Sequence, residues 1–135
     1  MSYNITSWKT LEIKDLTIYL SNVKEINASL REDWRLDLTT DLVWKDWTSF
    51  ELQGGSEGFE LSGVVEVKDD QTFLIVRSIT NTGEGSGTWY RDFLEPLLCT
   101  SSGLLKIRLV WEGGDTLEKV TWNNGVTTTE NMDDV

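Results

Sequence analysis

The sequence predicts a mainly-β domain, all-β to α+β in class. The expected form is an antiparallel β-sandwich or partly closed barrel of about eight to ten strands, with one short helix near residues 88–95. Three observations carry this reading. Apolar and polar residues alternate with a period of two over most of the 135-residue chain, the pattern of half-buried strands. Clusters of Gly, Asn, Asp and Ser punctuate the alternation where turns belong. Helical spacing is convincing in one place only. A single domain over residues 1–135 is expected, because the length is that of one domain and no linker or shift in composition divides the chain.

Leu11 and Ile13, then Leu16, Ile18 and Leu20, alternate with polar neighbours, but the phase slips by one residue at Lys14-Asp15. A bulge or short turn belongs there, since an uncorrected slip would turn every later side chain to the other face. Asn22 to Ser29 is weakly patterned and reads as a connection. Trp34, Leu36 and Leu38 resume alternation before a turn at Thr39-Thr40-Asp41 and a short strand at Leu42-Val43-Trp44.

Phe50-Glu51-Leu52-Gln53-Gly54 then recurs nine residues later as Phe59-Glu60-Leu61-Ser62-Gly63, with Gly55-Ser56-Glu57-Gly58 between. Two hairpin arms using the same inward Phe-x-Leu pair account for the echo, and the period is far too short for a solenoid. Val64 to Val67 continues the second arm and Asp69-Asp70-Gln71 turns. Thr72 to Thr80 is apolar enough to lie centrally in a sheet. After the polar loop 81–87, Thr88 can cap a helix to Glu95 that aligns Trp89, Phe93 and Leu97, and Pro96 should end or kink it. Leu105 to Trp111 and Leu117 to Trp122 are strands. Asn123-Asn124-Gly125 carries the Asn-Gly signal of a type I′ hairpin, and Val126 to Thr129 is a last short strand. Residues 130–135 should fray.

Composition excludes much chemistry. The chain has 12 basic and 23 acidic residues, a net charge of −11, one cysteine and no histidine. Without imidazole there is no Ser-His-Asp triad or Cys-His dyad, and Cys99 alone cannot build a structural zinc site or an internal disulfide. A reducing, cytoplasmic setting is the expectation, because the polar opening Met1 to Thr6 has no signal-peptide pattern. No run approaches the ~20 apolar residues of a membrane span. Neither nucleic acid nor an anionic membrane suits so acidic a surface, and the basic residues, scattered along the sequence, form no stripe. No cofactor is implied. The glycosylation patterns at Asn4 and Asn27 read as chance matches.

The formal catalytic motifs fail on chemistry. Gly54-Gly55-Ser56-Glu57-Gly58 fits the nucleophile elbow, but that serine needs a strand-to-helix turn and a histidine. Ser21-Asn22-Val23-Lys24 fits S-x-x-K without its companion motifs. The loop Gly83-Glu84-Gly85-Ser86-Gly87 lacks both the dinucleotide and the P-loop spacing. Carboxylate-based hydrolysis or Ca²⁺ binding by Asp41 and Asp46, or by Glu112, Asp115 and Glu118, stays open, although no EF-hand loop is present.

Seven tryptophans exceed what the core of such a domain needs. Trp34, Trp111 and Trp122 fall in phase with apolar strand positions. Trp44 and Trp47 are three apart, on opposite faces of a strand unless the chain bends, so one of them should be exposed beside Asp41 and Asp46. Trp89, Tyr90 and Arg91 form a second aromatic-polar group. The expectation is therefore a non-enzymatic acidic binding domain that docks a protein partner, a basic one by charge, in the manner of an inhibitor, immunity-type or adaptor protein. The alternative is a β-domain that binds a small ligand or carbohydrate through exposed tryptophans, with or without Ca²⁺.

Overall fold

Turn chemistry sets the limits of the strands. The computed structural model describes residues 5–54, 58–81, 90–111 and 117–131. Its strands are β1 (Ile5–Tyr19), β2 (Leu42–Trp44), β3 (Ser49–Gly54), β4 (Phe59–Lys68), β5 (Gln71–Asn81), β6 (Ser102–Trp111), β7 (Leu117–Asn123) and β8 (Val126–Asn131). Asp69 and Asp70 both take positive φ, closing β4 onto β5 at the Lys68–Gln71 pair. Asn124 and Gly125 do the same between β7 and β8. Positive φ at both central residues is the mark of the type I′ turn that the sequence expects at Asn124-Gly125, and the turn expected at Asp69-Asp70 shares it.

The chain is mainly β and antiparallel. Among the described residues eight strands share one sheet, in the order β2-β3-β4-β5-β1-β6-β7-β8, which is not closed into a barrel. β1 sits between two meanders, β2 to β5 on one side and β6 to β8 on the other. The slip expected at Lys14-Asp15 lies within β1, where Asp15 has φ 53° and the register against β6 shifts between Lys14 and Thr17. The Phe-x-Leu echo is the β3–β4 hairpin: Leu52 faces Leu61, and Phe50, Leu52, Phe59 and Leu61 are all buried. β5 is central, as expected, with Leu74, Val76 and Ile79 on the core side.

Two helical segments cover the inner face. Leu20–Ser29 is a helix, α1, where the sequence suggests a connection. Its apolar face is narrow: only Val23 and Asn27, four apart, are buried, so the periodicity is faint. The second segment begins as a π-helical stretch, Tyr90–Leu94, and runs on as α2, Glu95–Cys99. Pro96 therefore does not end the helix. It stands in the first turn of α2, where its missing N–H costs little. Phe93 and Leu97 are fully buried as their spacing predicts. Phe93 stacks 6.0 Å from Phe59 of β4, and Tyr90 lies 6.0 Å from Trp122 of β7, so this one segment reaches across the inner face from β4 to β7.

Smaller departures have local causes. Trp34 belongs to a 3₁₀ turn, Glu32–Trp34, and not to a strand; the Arg31 guanidinium lies 4.7 Å from its ring centroid. β8 continues to Asn131, with Glu130 paired to Lys119 and Asn131 to Glu118, so two of the residues expected to fray are in register. No described helix is long and apolar enough to cross a membrane.

Candidate functional site

β2 is a three-residue edge strand, and the turn that ends it decides where the tryptophans point. Lys45 donates its backbone N–H to Ser49 O, and Asp46 Oδ1 accepts from Thr48 N at 2.8 Å and Thr48 Oγ1 at 3.0 Å. This Asx turn stops the strand at Trp44 and bends the chain back into β3. Trp47 at its tip is 99% exposed, while Trp44, opposite Phe50 on the rim of the inner face, is 47% exposed. Val43 is equally exposed on the outer face, opposite Glu51. The bend leaves both tryptophans in solvent instead of one.

The acids here are also structural. Asp41 Oδ2 accepts from Asp37 N at 2.8 Å, and Asp37 Oδ1 accepts from Thr39 N at 3.0 Å, which fixes the turn leading into β2. The Thr39 hydroxyl, followed by the Thr39 N–H, holds the Asp37 carboxyl below its ordinary pKa. The Thr48 N–H, with the Thr48 hydroxyl, does the same for Asp46. Lys45 pairs with Glu51 and its ammonium is held above its usual pKa by that hydrogen bond. Gln53 bridges Glu51 to Glu60 on the same outer surface. The result is an edge that exposes Val43 on the outer face beside Glu51 and Glu60, Trp44 on the inner rim and Trp47 at the turn, with Asp41 and Asp46 flanking β2 and Lys45 already engaged.

Of the second expected group, Trp89, Tyr90 and Arg91, only the Tyr90 side chain is described. Tyr90 is 5% exposed and packs on Trp122 in the core. Burial pushes its phenol well above the ordinary range, and Glu95 and Glu118 add to the effect. Trp89 and the side chain of Arg91 lie outside the described residues, as do Ser56, the glycine loop 83–87, Glu112 and Asp115. The elbow motif joins β3 to β4, a strand-to-strand connection that cannot serve as a strand-to-helix elbow. Among the described residues no three His, Cys, Asp or Glu side chains gather as a metal site.

Sequence reasoning missed a shallow groove of about 390 Å³ lined by Ser29, Leu30, Arg31, Trp34, Asp92 and Pro96. It depends on α1 and α2 lying side by side, which no local pattern announces. Searches against protein-family models, curated proteins and solved structures return no match for this chain.

Proposed function

We propose that this chain is a non-enzymatic acidic binding domain that docks a basic protein partner, as an inhibitor, immunity-type or adaptor protein does, in the cytoplasm. The observation that carries the reading is the Val43, Trp44 and Trp47 display. Three large apolar side chains are exposed within five residues at one edge of the sheet, around both its faces, with four carboxylates nearby. Aromatic anchors supply affinity at small entropic cost, while surrounding charge of one sign steers the encounter. The −11 net charge acts in the same direction at longer range.

Native mass spectrometry of the protein recovered from its host's lysate, run beside a Trp47→Ala variant, tests the proposal. A basic protein retained by the parent chain, lost by the variant, and associating more slowly as salt rises is the expected result. Binding that ignores both salt and Trp47 would sink it.

A second reading, carbohydrate binding, is favoured by the groove beside Trp34. An indole, the guanidinium that lies over it and a carboxylate line it, groups that can contact the faces and hydroxyls of a sugar. A saturable quench of tryptophan emission by a simple sugar, abolished by Trp34→Ala, would select this reading over the first.

A further inference from the structure

Strand pairing assembles what the linear sequence disperses. Lys9 of β1 is directly opposite Arg108 of β6, and Arg108 is directly opposite Lys119 of β7. Their strand neighbours Trp8, Ile107, Leu109 and Val120 are buried on the inner face, so all three cations stand on the outer one. Two residues along β6 on that same face is Lys106. Arg108 thus has a cation to either side and another along its own strand. Like charges directly opposite on neighbouring strands repel, so the arrangement opposes folding. It is also unexpected in a chain with nearly twice as many acids as bases.

The carboxylates nearby neutralise only part of it. Glu130 pairs with Lys119 at 3.0 Å and Glu12 with Lys106 at 3.2 Å. Among the described residues no carboxylate reaches Lys9 or Arg108 within ion-pair distance. The Arg108 Nε is buried and has no acceptor among them. A buried guanidinium N–H without an acceptor is costly unless something supplies one.

We infer that Lys9, Arg108 and Lys119 form an oxyanion site on the outer face of β1, β6 and β7, and that its ligand is a phosphate-type polyanion. Neighbouring strands are ~4.8 Å apart, so the row spans ~10 Å, with a guanidinium between two ammonium groups. A lone carboxylate would neutralise Arg108 and leave Lys9 uncompensated, whereas a multiply charged phosphate matches both and can compete with Glu130 for Lys119. The site is separate from the tryptophan display, which lies at the far edge of the sheet, so either can be lost without the other.

Titration of the ¹⁵N-labelled protein with inorganic pyrophosphate at low salt, read at the Arg108 side-chain Nε–Hε signal, tests the site. A saturable shift is expected, centred on Arg108 and the amides of residues 9 and 119. Lys9→Gln, at an exposed position, and Arg108→Gln should each weaken binding by about tenfold, as loss of a charge-assisted contact does. Glu130→Gln should tighten it by about threefold, because it frees Lys119 from a competing exposed ion pair. Parallel titrations with adenosine diphosphate and hexaglutamate identify the anion. Saturable binding of the diphosphate nucleotide supports a site for a terminal phosphate, and pyrophosphate alone supports a free one. Hexaglutamate binding more tightly than either overturns the phosphate assignment. No saturable shift at Arg108, or an affinity unmoved by Lys9→Gln and Glu130→Gln, overturns the site.

Discussion

Asn27 and Leu36 hold each other through a reciprocal pair of hydrogen bonds. Asn27 Nδ2 donates to Leu36 O at 3.0 Å, and Leu36 N donates to Asn27 Oδ1 at 2.8 Å. Both residues are 8% exposed, so the amide stands in for a strand partner and fastens the segment after the 3₁₀ turn onto α1. In the folded chain the amide nitrogen of the Asn27-Ala28-Ser29 pattern points inward and is already donating.

Asn27→Ala leaves a buried N–H and a buried C=O unmatched, which should cost about 3 kcal/mol in a urea unfolding measurement. Asn27→Asp keeps the acceptor, loses the donor and buries a charge, so at neutral pH it should cost more than the alanine variant. The gap between the two should close as pH falls and the new carboxyl is protonated. Equal stability of parent and alanine variant would show that the pair is incidental.

Gly103 opens the β6 segment that pairs with the bulge of β1. Its φ is +90°, and a Cβ there would stand 2.1 Å from the Asp15 carbonyl oxygen. Gly103→Ala should therefore cost at least ~2 kcal/mol, combining backbone strain with a clash against main chain that cannot move aside. Gly103 also exchanges bonds with the β7–β8 turn: its N–H donates to Asn124 Oδ1 at 2.8 Å, and its carbonyl accepts from Asn124 N at 2.9 Å. Hydrogen exchange in Gly103→Ala should accelerate at residues 123–126 as well as at 14–17.

Trp47 touches nothing that folding needs. Trp47→Phe should leave the thermal midpoint unchanged, its effect on stability staying within ~0.5 kcal/mol. The same change should remove a red-shifted, acrylamide-quenchable part of the emission. Trp122→Phe is the contrast: a fully buried ring is trimmed, and a loss of about 1–3 kcal/mol is expected. If Trp47→Phe lowered the midpoint as much as Trp122→Phe, the indole would be packed against the protein instead of displayed.

The turns flanking β2 should loosen in acid. The Asp37 and Asp46 carboxyls sit below their ordinary pKa of 3.8, held there by threonine donors. A depressed folded-state pKa contributes stability that is present above the unfolded value and is lost as pH falls through the folded one. Asp46→Ala should thus be less stable than the parent at pH 6, and the difference should shrink below pH 4. Lys45 has the opposite sense: its raised pKa contributes fully below 10.5 and is lost as pH climbs beyond it. Urea titrations at pH 6 and pH 2.5 check the acid limb. A parent–variant difference that persists at pH 2.5 would assign the effect to something other than ionisation.

What the sequence made legible was local. Asp69-Asp70 and Asn124-Gly125 announce their turns because few residues tolerate positive φ, and the Phe-x-Leu echo announces its hairpin because both arms face one core. α1 stayed hidden because its buried face is Val23 and an asparagine, a polar residue whose partner lies nine positions on. Pro96 misled because its effect depends on its place in the helix, and the preceding turns are π-wound. The Trp44 and Trp47 display was half legible: spacing implied one exposed ring, and only the Asp46 turn exposes both. Lys9, Arg108 and Lys119 could not be grouped at all without the strand register, since Lys9 is about three-quarters of the chain away from the other two.

The place of β1 has a consequence for how the chain is made. Its first edge finds β5 after a modest wait, but the edge it offers β6 must stay open until residues 102–111 have been synthesised. That is roughly 90 residues after Tyr19, on the order of 5–18 s at the ~5–20 residues per second of translation. Throughout that interval the strand keeps one edge without a partner, an invitation to a neighbouring ribosome's product. Moving β1 to follow β8 in a circular permutant would make the central strand the last to arrive, and the hazard would pass to the two meanders that wait for it.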